Sequence, residues 1–230
     1  MADKVIINRS TLTDIADAIR VKTGDYSTIA PSSMAEKIRN IPQEGGEADY
    51  SSEDALISGT NSAYMNPRVT EVGEYVFYKN TTLQRISLSN AEEIGRNAMD
   101  GCSSLAVLDL PQAKIIYDYA CRETAISSIT LPNIEDIKGE GFANCTSLTK
   151  VDLGSKIKYL RAKSFIGCSS LTTVIIRNED KVVSLGSKNV FENSPNATYY
   201  VPDSKLSSYK SASNWVNYGS KIKPLSELEG

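Results

Sequence analysis

The groups in this chain that could do chemistry are four cysteines and a scatter of carboxylates, in a sequence with no histidine. The missing imidazole removes Ser-His and Cys-His catalysis and every histidine-containing metal site. Cys102, Cys121, Cys145 and Cys168 form no CxxC pair, and their spacing of roughly 20 residues suits neither a zinc site nor a redox motif. Small buried hydrophobes in a stacked ladder explain them better. Cys145 and Cys168 would then sit on adjacent rungs, where a disulfide is geometrically open but not expected. Asp109 and Asp152 can be imagined as a carboxylate pair, but two rungs of such a ladder place them roughly 10 Å apart and facing water. A solvated repeat surface accounts for them better. The chain has no P-loop and no strand-turn-helix GxGxxG. Its Asn-x-Thr triplets at Asn80 and Asn144 fall in a repeat region where Asn serves the backbone. No catalytic residue, cofactor-binding residue, cofactor or metal ligand is assigned, and the chain is expected not to be an enzyme.

The ladder that would hold these residues is written in the second half of the chain. Residues 143–153 read ANCTSLTKVDL, and Cys145, Ser147, Leu148, Val151 and Leu153 have counterparts in Cys168, Ser170, Leu171, Val174 and Ile176 and in Cys102, Ser104, Leu105, Leu108 and Leu110. The leading Leu or Ile falls at 83, 105, 126, 148 and 171, a period of 21–23 residues. A second half of each repeat keeps phase through Val72, Ile94, Ile116, Ile137 and Leu160. It continues five residues later through Phe77, Met99, Cys121, Phe142 and Phe165, and a stretched sixth copy runs through Val182, Leu185 and Phe191. A fixed period in this range is the signature of a solenoid.

One such unit is too small to bury its own apolar residues, so neighbours bury them by stacking and the core becomes a column. The x-Ile-x-Leu segment has the period of a short strand. Val151 and Leu153 are expected to point inward and Lys150 and Asp152 outward, with parallel strands roughly 4.8 Å apart. The Phe half is expected to return as irregular or helical chain. The fold class is thus an α/β repeat, a solenoid of parallel strands, with a small N-terminal two-helix module.

Residues 1–41 form that module. Leu12, Ile15, Ala16 and Ile19 share one helix face, and Met34, Ile38 and their neighbours share another after Pro31. Two short helices bury little alone. They either pack on a partner, by self-association into a homo-oligomer or by docking to an assembly, or fold onto the solenoid as a cap. Residues 42–54 read as a flexible linker. Residues 55–202 are the solenoid, with 55–57 as a capping strand over its first rung. Residues 203–230 are a C-terminal cap and tail: Tyr199 to Val201 form the last strand, Asp203 caps a helix, Trp215 seals the end as core, and Pro224 starts the tail. At a net charge of −3 and a pI near 5.2, nothing invites nucleic acid. No apolar run approaches the ~18 residues of a membrane span, and no secretory signal is read at the start.

The repeat, as in Ile137 through Phe142, Cys145 and Leu148, resembles the BspA-type leucine-rich repeat of bacterial surface proteins. Gly73 and Gly95 keep that family's glycine, while Lys138 and Arg161 replace it. Residues 199–227 resemble the ending of such proteins encoded by phages and prophages, and residues 10–24 with the Met34–Ile41 helix resemble the N-terminal module of phage tail and minor structural proteins. The resemblance implies binding and not catalysis. On this sequence the outward strand positions form two columns, Arg85, Val107, Ser128, Lys150 and Thr173, and Ser87, Asp109, Thr130, Asp152 and Ile175. They could meet a host-surface glycan or protein, or simply be a solvated face. The resemblance further implies a virion location with tail proteins as partners of the N-terminal helices. A bacterial cell-surface adhesin is the alternative, and a hydrolase of surface polysaccharide a third reading.

Overall fold

The computed structural model of the protein describes residues 63–228. The N-terminal helix positions Leu12, Ile15, Ala16, Ile19, Met34 and Ile38, the linker and the 55–57 capping strand lie outside the described residues.

Each repeat lays down a strand of three or four residues, then one of two. The longer strands are β1 (Ala63–Met65), β3 (Arg85–Ser87), β5 (Val107–Asp109), β7 (Ser128–Leu131), β9 (Lys150–Leu153), β11 (Thr173–Ile176) and β13 (Thr198–Val201). The shorter are β2 (Glu71–Val72), β4 (Glu93–Ile94), β6 (Ile115–Ile116), β8 (Asp136–Ile137), β10 (Tyr159–Leu160) and β12 (Ser184–Leu185). Every ladder is parallel and joins a strand to its counterpart one repeat away, as in Ser128↔Lys150↔Thr173↔Thr198. The chain is a parallel-strand solenoid with the period that the leading leucines announce. Alternation puts Val151 and Leu153 inside and Lys150 outside on β9.

The short strands form a second, six-stranded sheet that periodicity did not reveal. Two residues are too few to display alternation, so Val72, Ile94, Ile116, Ile137 and Leu160 were readable only as apolar positions. The Phe half that follows is a run of turns, not a helix. It holds pairs of residues four apart in the left-handed region, with φ of 60° and 55° at Tyr75 and Lys79, 60° and 57° at Tyr119 and Glu123, and 57° at both Glu140 and Asn144. A left-handed residue with a Cβ costs of order 1–2 kcal/mol. Amides released by this geometry bond the next rung instead, Phe77 to the Ala98 carbonyl at 2.7 Å and Lys79 to that of Asp100 at 2.8 Å.

Inside the column, Phe142, Phe165 and Phe191 stack at 5.3 and 5.6 Å between ring centroids. Three of the cysteines line a rail beside them, while Cys121 takes the Phe position of its own repeat. Cys102 Sγ donates to the Phe77 carbonyl at 2.9 Å, Cys145 to that of Cys121 at 3.2 Å, and Cys168 to that of Phe142 at 3.2 Å. Ser194 Oγ does the same for Phe165. The position demands a small side chain with one donor, which Cys and Ser both satisfy. All four thiols are buried and unpaired, and burial pushes Cys102 up to about 12 and Cys145 to about 11.

The C-terminal end differs from expectation in three ways. β13 is not the last strand, because β14 (Ile222–Pro224) pairs parallel with it, Tyr199 opposite Ile222. Asp203 does not cap the helix α1 (Leu206–Ser211) with its side chain; its carboxylate accepts Ser226 Oγ at 2.6 Å and Ser226 N at 3.2 Å. That contact ties the stretch after Pro224 to the body. Trp215 is buried, with its Nε1 donating to the Val183 carbonyl at 2.7 Å.

Candidate functional site

The outer face of the long strands collects the polar half of each alternating segment. Arg85 and Val107 stand opposite one another, as do Ser87 and Asp109. Farther along, Ser128, Lys150 and Thr173 form one column and Thr130, Asp152 and Ile175 the other. Arg85, Val107, Asp109, Ser128, Thr130 and Lys150 are exposed, and Ser87, Asp152 and Thr173 half-buried.

Two features depart from the expected continuous columns. First, the face is split: β1, β3 and β5 form one sheet and β7, β9, β11, β13 and β14 another. The repeat between Cys121 and Ile126 is one residue shorter than that between Met99 and Leu105, so β7 does not ladder with β5. Second, Ile175 is 1% exposed although it faces outward. It is flanked in register by Asp152 and Tyr200. Arg177, two residues along the same face, reaches back to Asp152 through two bonds of 2.9 Å. Ile175 is therefore part of a local apolar-and-ionic patch and offers no open contact.

The polar groups of this face are partly engaged with each other. Ser87 Oγ donates to Asp109 at 2.9 Å. Similar rung-to-rung pairs run over the rest of the surface, Arg122 with Asp100 at 2.8 Å and Arg161 with Asp136 at 2.8 Å. Asp100 has a side chain only 3% exposed, so its bidentate partner is structurally required. At Asp136, burial alone would raise the carboxyl, but hydrogen bonds from Arg161 and Lys138 outweigh it and hold the group below the ordinary aspartate value. A signal for these pairs was present in the sequence: opposite charges one repeat period apart, as Asp100 and Arg122 are at 22 residues, or one period plus two, as Asp136 and Arg161 are at 25. Sequence reasoning also passed over three exposed tyrosines, Tyr75 and Tyr78 in the turns and Tyr159 on β10. Lys79 lies over the Tyr78 ring, Arg122 over Tyr119 and Arg161 over Tyr159 at 5.1, 4.9 and 4.3 Å.

Among the described residues no group of three or more His, Cys, Asp or Glu side chains could hold a metal ion, and no helix is long and apolar enough to cross a membrane. The arrangement presents register-spaced donors and acceptors at the surface.

The model of the BspA type leucine rich repeat region, in six copies, matches residues 57–116 and 114–214. No curated protein matches the chain. Among solved structures the fold is similar to a Treponema pallidum leucine rich repeat protein, 27% identical, covering 61% of this chain and 68% of that one with a TM-score of 0.54. It is also similar to the pneumococcal vaccine antigen PcpA, 19% identical over 72% of this chain and 40% of that one, TM-score 0.57. A leucine-rich repeat protein from Bacteroides ovatus is 26% identical over 65% of this chain and 41% of that one, TM-score 0.47. This chain thus spans less than half the length of the latter two. With the repeat model covering well over half its length and the parallel ladders in register, the chain belongs to the BspA-type leucine-rich-repeat family.

Proposed function

We propose that the chain is a non-enzymatic recognition protein whose solenoid meets a host-surface glycan or another protein through the outer strand face. The observation that carries this reading is the open block around Ser128, Thr130 and Lys150, three exposed polar side chains held on a rigid two-strand register. Rigid elements lower the ordering cost of binding. The test is Ser128→Arg with Thr130→Arg in the full chain. Binding to the target surface should fall at least tenfold while circular dichroism stays unchanged, and undiminished binding refutes the assignment of the face.

The setting we favour is a phage virion, tail- or baseplate-associated, with residues 1–41 as the attachment module, alone or as a homo-oligomer. Support comes from the resemblance of residues 10–24 to phage tail modules. Deleting 1–41 should abolish incorporation into particles and leave the solenoid folded; truncated protein that still co-purifies with virions would remove the anchor. Membership of the BspA-type family equally supports a bacterial cell-surface adhesin, and fractionation of the producing cells separates the two. The hydrolase reading returns if incubation with cell-wall glycan releases sugar.

A further inference from the structure

The facing edges of β5 and β7 are unlike those of any other consecutive long strands in the solenoid, for all the others are joined by ladders. Peptide groups alternate in direction along a strand. Val107 and Asp109 turn theirs toward β3: Val107 N donates to the Gln84 carbonyl at 3.1 Å, and the Asp109 carbonyl accepts Leu88 N at 3.0 Å. Ser127 and Leu131 turn theirs toward β9, accepting Thr149 N at 2.8 Å and Gly154 N at 3.1 Å. The residues between, Leu108 on β5 and Ser128 and Thr130 on β7, aim theirs into the seam, where no ladder joins the two strands.

The cysteine rail breaks at the same place. Cys102, Cys145, Cys168 and Ser194 each donate to a carbonyl of the rung before. Thr124 occupies the equivalent position in the shortened repeat, and its Oγ1 donates to the Cys121 carbonyl of its own rung at 3.0 Å. On the other sides of the coil the same two rungs stay bonded. β4 pairs with β6, Glu93 opposite Ile115. In the turns, Met99 N donates to the Ala120 carbonyl at 2.7 Å and Gly101 N to that of Arg122 at 2.9 Å. Past the strands, Asn133 Nδ2 reaches the Pro111 carbonyl at 2.9 Å.

We propose that this seam is a hinge. The block of β1, β3 and β5 tilts against the block of β7, β9, β11, β13 and β14, with the unbroken second sheet as the leaf that holds them together. Opening the outer face at any other rung of these blocks breaks a ladder; here it breaks neither ladder nor rail bond. Leu108 and Ile129, on either side of the seam, are 6% and 2% exposed, while Ile86, Val151 and Val174 are at 0%. A rigid partner that spans Asp109 and Thr130 would select one tilt, whereas a partner confined to β7 and β9 meets a fixed register. The hinge stands whether or not the outer face is the binding surface.

Three pairs of spin labels on introduced cysteines test it in the full chain. The native thiols are buried, so the label goes to the new ones. Arg85→Cys with Lys150→Cys crosses the seam on the outer face. Ser128→Cys with Thr198→Cys spans as many rungs inside one block. Glu92→Cys with Lys158→Cys crosses the same rungs beside the second sheet. Electron paramagnetic resonance should give the first pair a distance distribution about twofold broader than either of the others. Insertion of one serine after Thr124 restores the spacing that Cys145 keeps to Leu148, and should narrow the first pair to the width of the controls. The three pairs without the insertion decide the matter even where the inserted chain does not fold. A first pair no broader than the controls would overturn the hinge. So would an equally broad Glu92 and Lys158 pair, which means general looseness, or an inserted chain that folds with the first pair still broad.

Discussion

Side chains in this protein answer to the same position one repeat away. Cys102, Cys145, Cys168 and Ser194 each satisfy a carbonyl of the preceding rung, which makes their thiols structural donors with little nucleophilic character. Burial raises the thiols, so their contribution to stability is complete below the ordinary thiol value and is lost as pH rises through the folded one. A thiol reagent at pH 8 should label native protein slowly and all four cysteines rapidly after denaturation; fast labelling of the native chain would contradict a closed rail. Asp136 works in the opposite sense. Its carboxyl is held low by Arg161 and Lys138, so its contribution is present above the ordinary aspartate value of about 3.9 and fades as pH falls through the lower folded value. Asp136→Asn should therefore lower the urea midpoint at pH 7, with the gap to the parent chain closing below about pH 4. A gap independent of pH would mean that packing, not charge, is what Asp136 supplies.

Among the elements, the rungs are separated by little more than a backbone. At Gly154, the residue after β9, an added Cβ would lie 1.9 Å from the Pro132 carbonyl oxygen. Gly154→Ala should cost at least the ~1–3 kcal/mol of an overpacked core site. Gly219, where the nearest atom to an added Cβ is 4.0 Å away, should change by no more than ~0.5 kcal/mol on the same substitution. Chemical denaturation of the two variants checks both figures. The break between β5 and β7 is the weak seam of the outer face, because neither strand has the other's backbone to bond. Leu108 and Ile129, the inward residues on either side of it, are 6% and 2% exposed, whereas Val151 and Val174 are fully buried. Hydrogen exchange should find the amides of β7 opening before those of β9.

For the whole molecule, a column of nearest-neighbour contacts divides damage by position. Phe165 sits in the middle of the ring stack, so Phe165→Ala should cost about 3–5 kcal/mol and lower Tm by roughly 10 °C. Trp215 closes the end, packed on Phe191, Tyr199 and Tyr209. Trp215→Ala should expose β12, β13 and β14 to hydrogen exchange first while β7 and β9 stay protected. Uniform loss of protection in both variants would show a single cooperative unit where a one-dimensional stack is expected.

The period was readable because burial repeats with it: an apolar residue every 21–23 positions can be hidden only by its own copy on the next rung. From that alone follow the solenoid, the parallel strands, the inward Val151 and Leu153 and the buried cysteines. Pairing across rungs was legible in principle, in charges such as Asp100 and Arg122 that lie one period apart. Other features depend on what three-dimensional neighbours do. Ile175 faces outward by alternation but is closed off by Asp152, Arg177 and Tyr200, which come from three different rungs or their ends. The two-residue strands of the second sheet carry too little pattern to be seen without their partners. The missing residue between Cys121 and Ile126 looks like harmless drift in the sequence, yet it divides the outer sheet, because a ladder needs register and not merely composition. The Ser164 hydroxyl reads as one more turn residue until the rungs stack and leave it buried without a partner among the described residues, for only the folded chain decides which buried donors go unanswered.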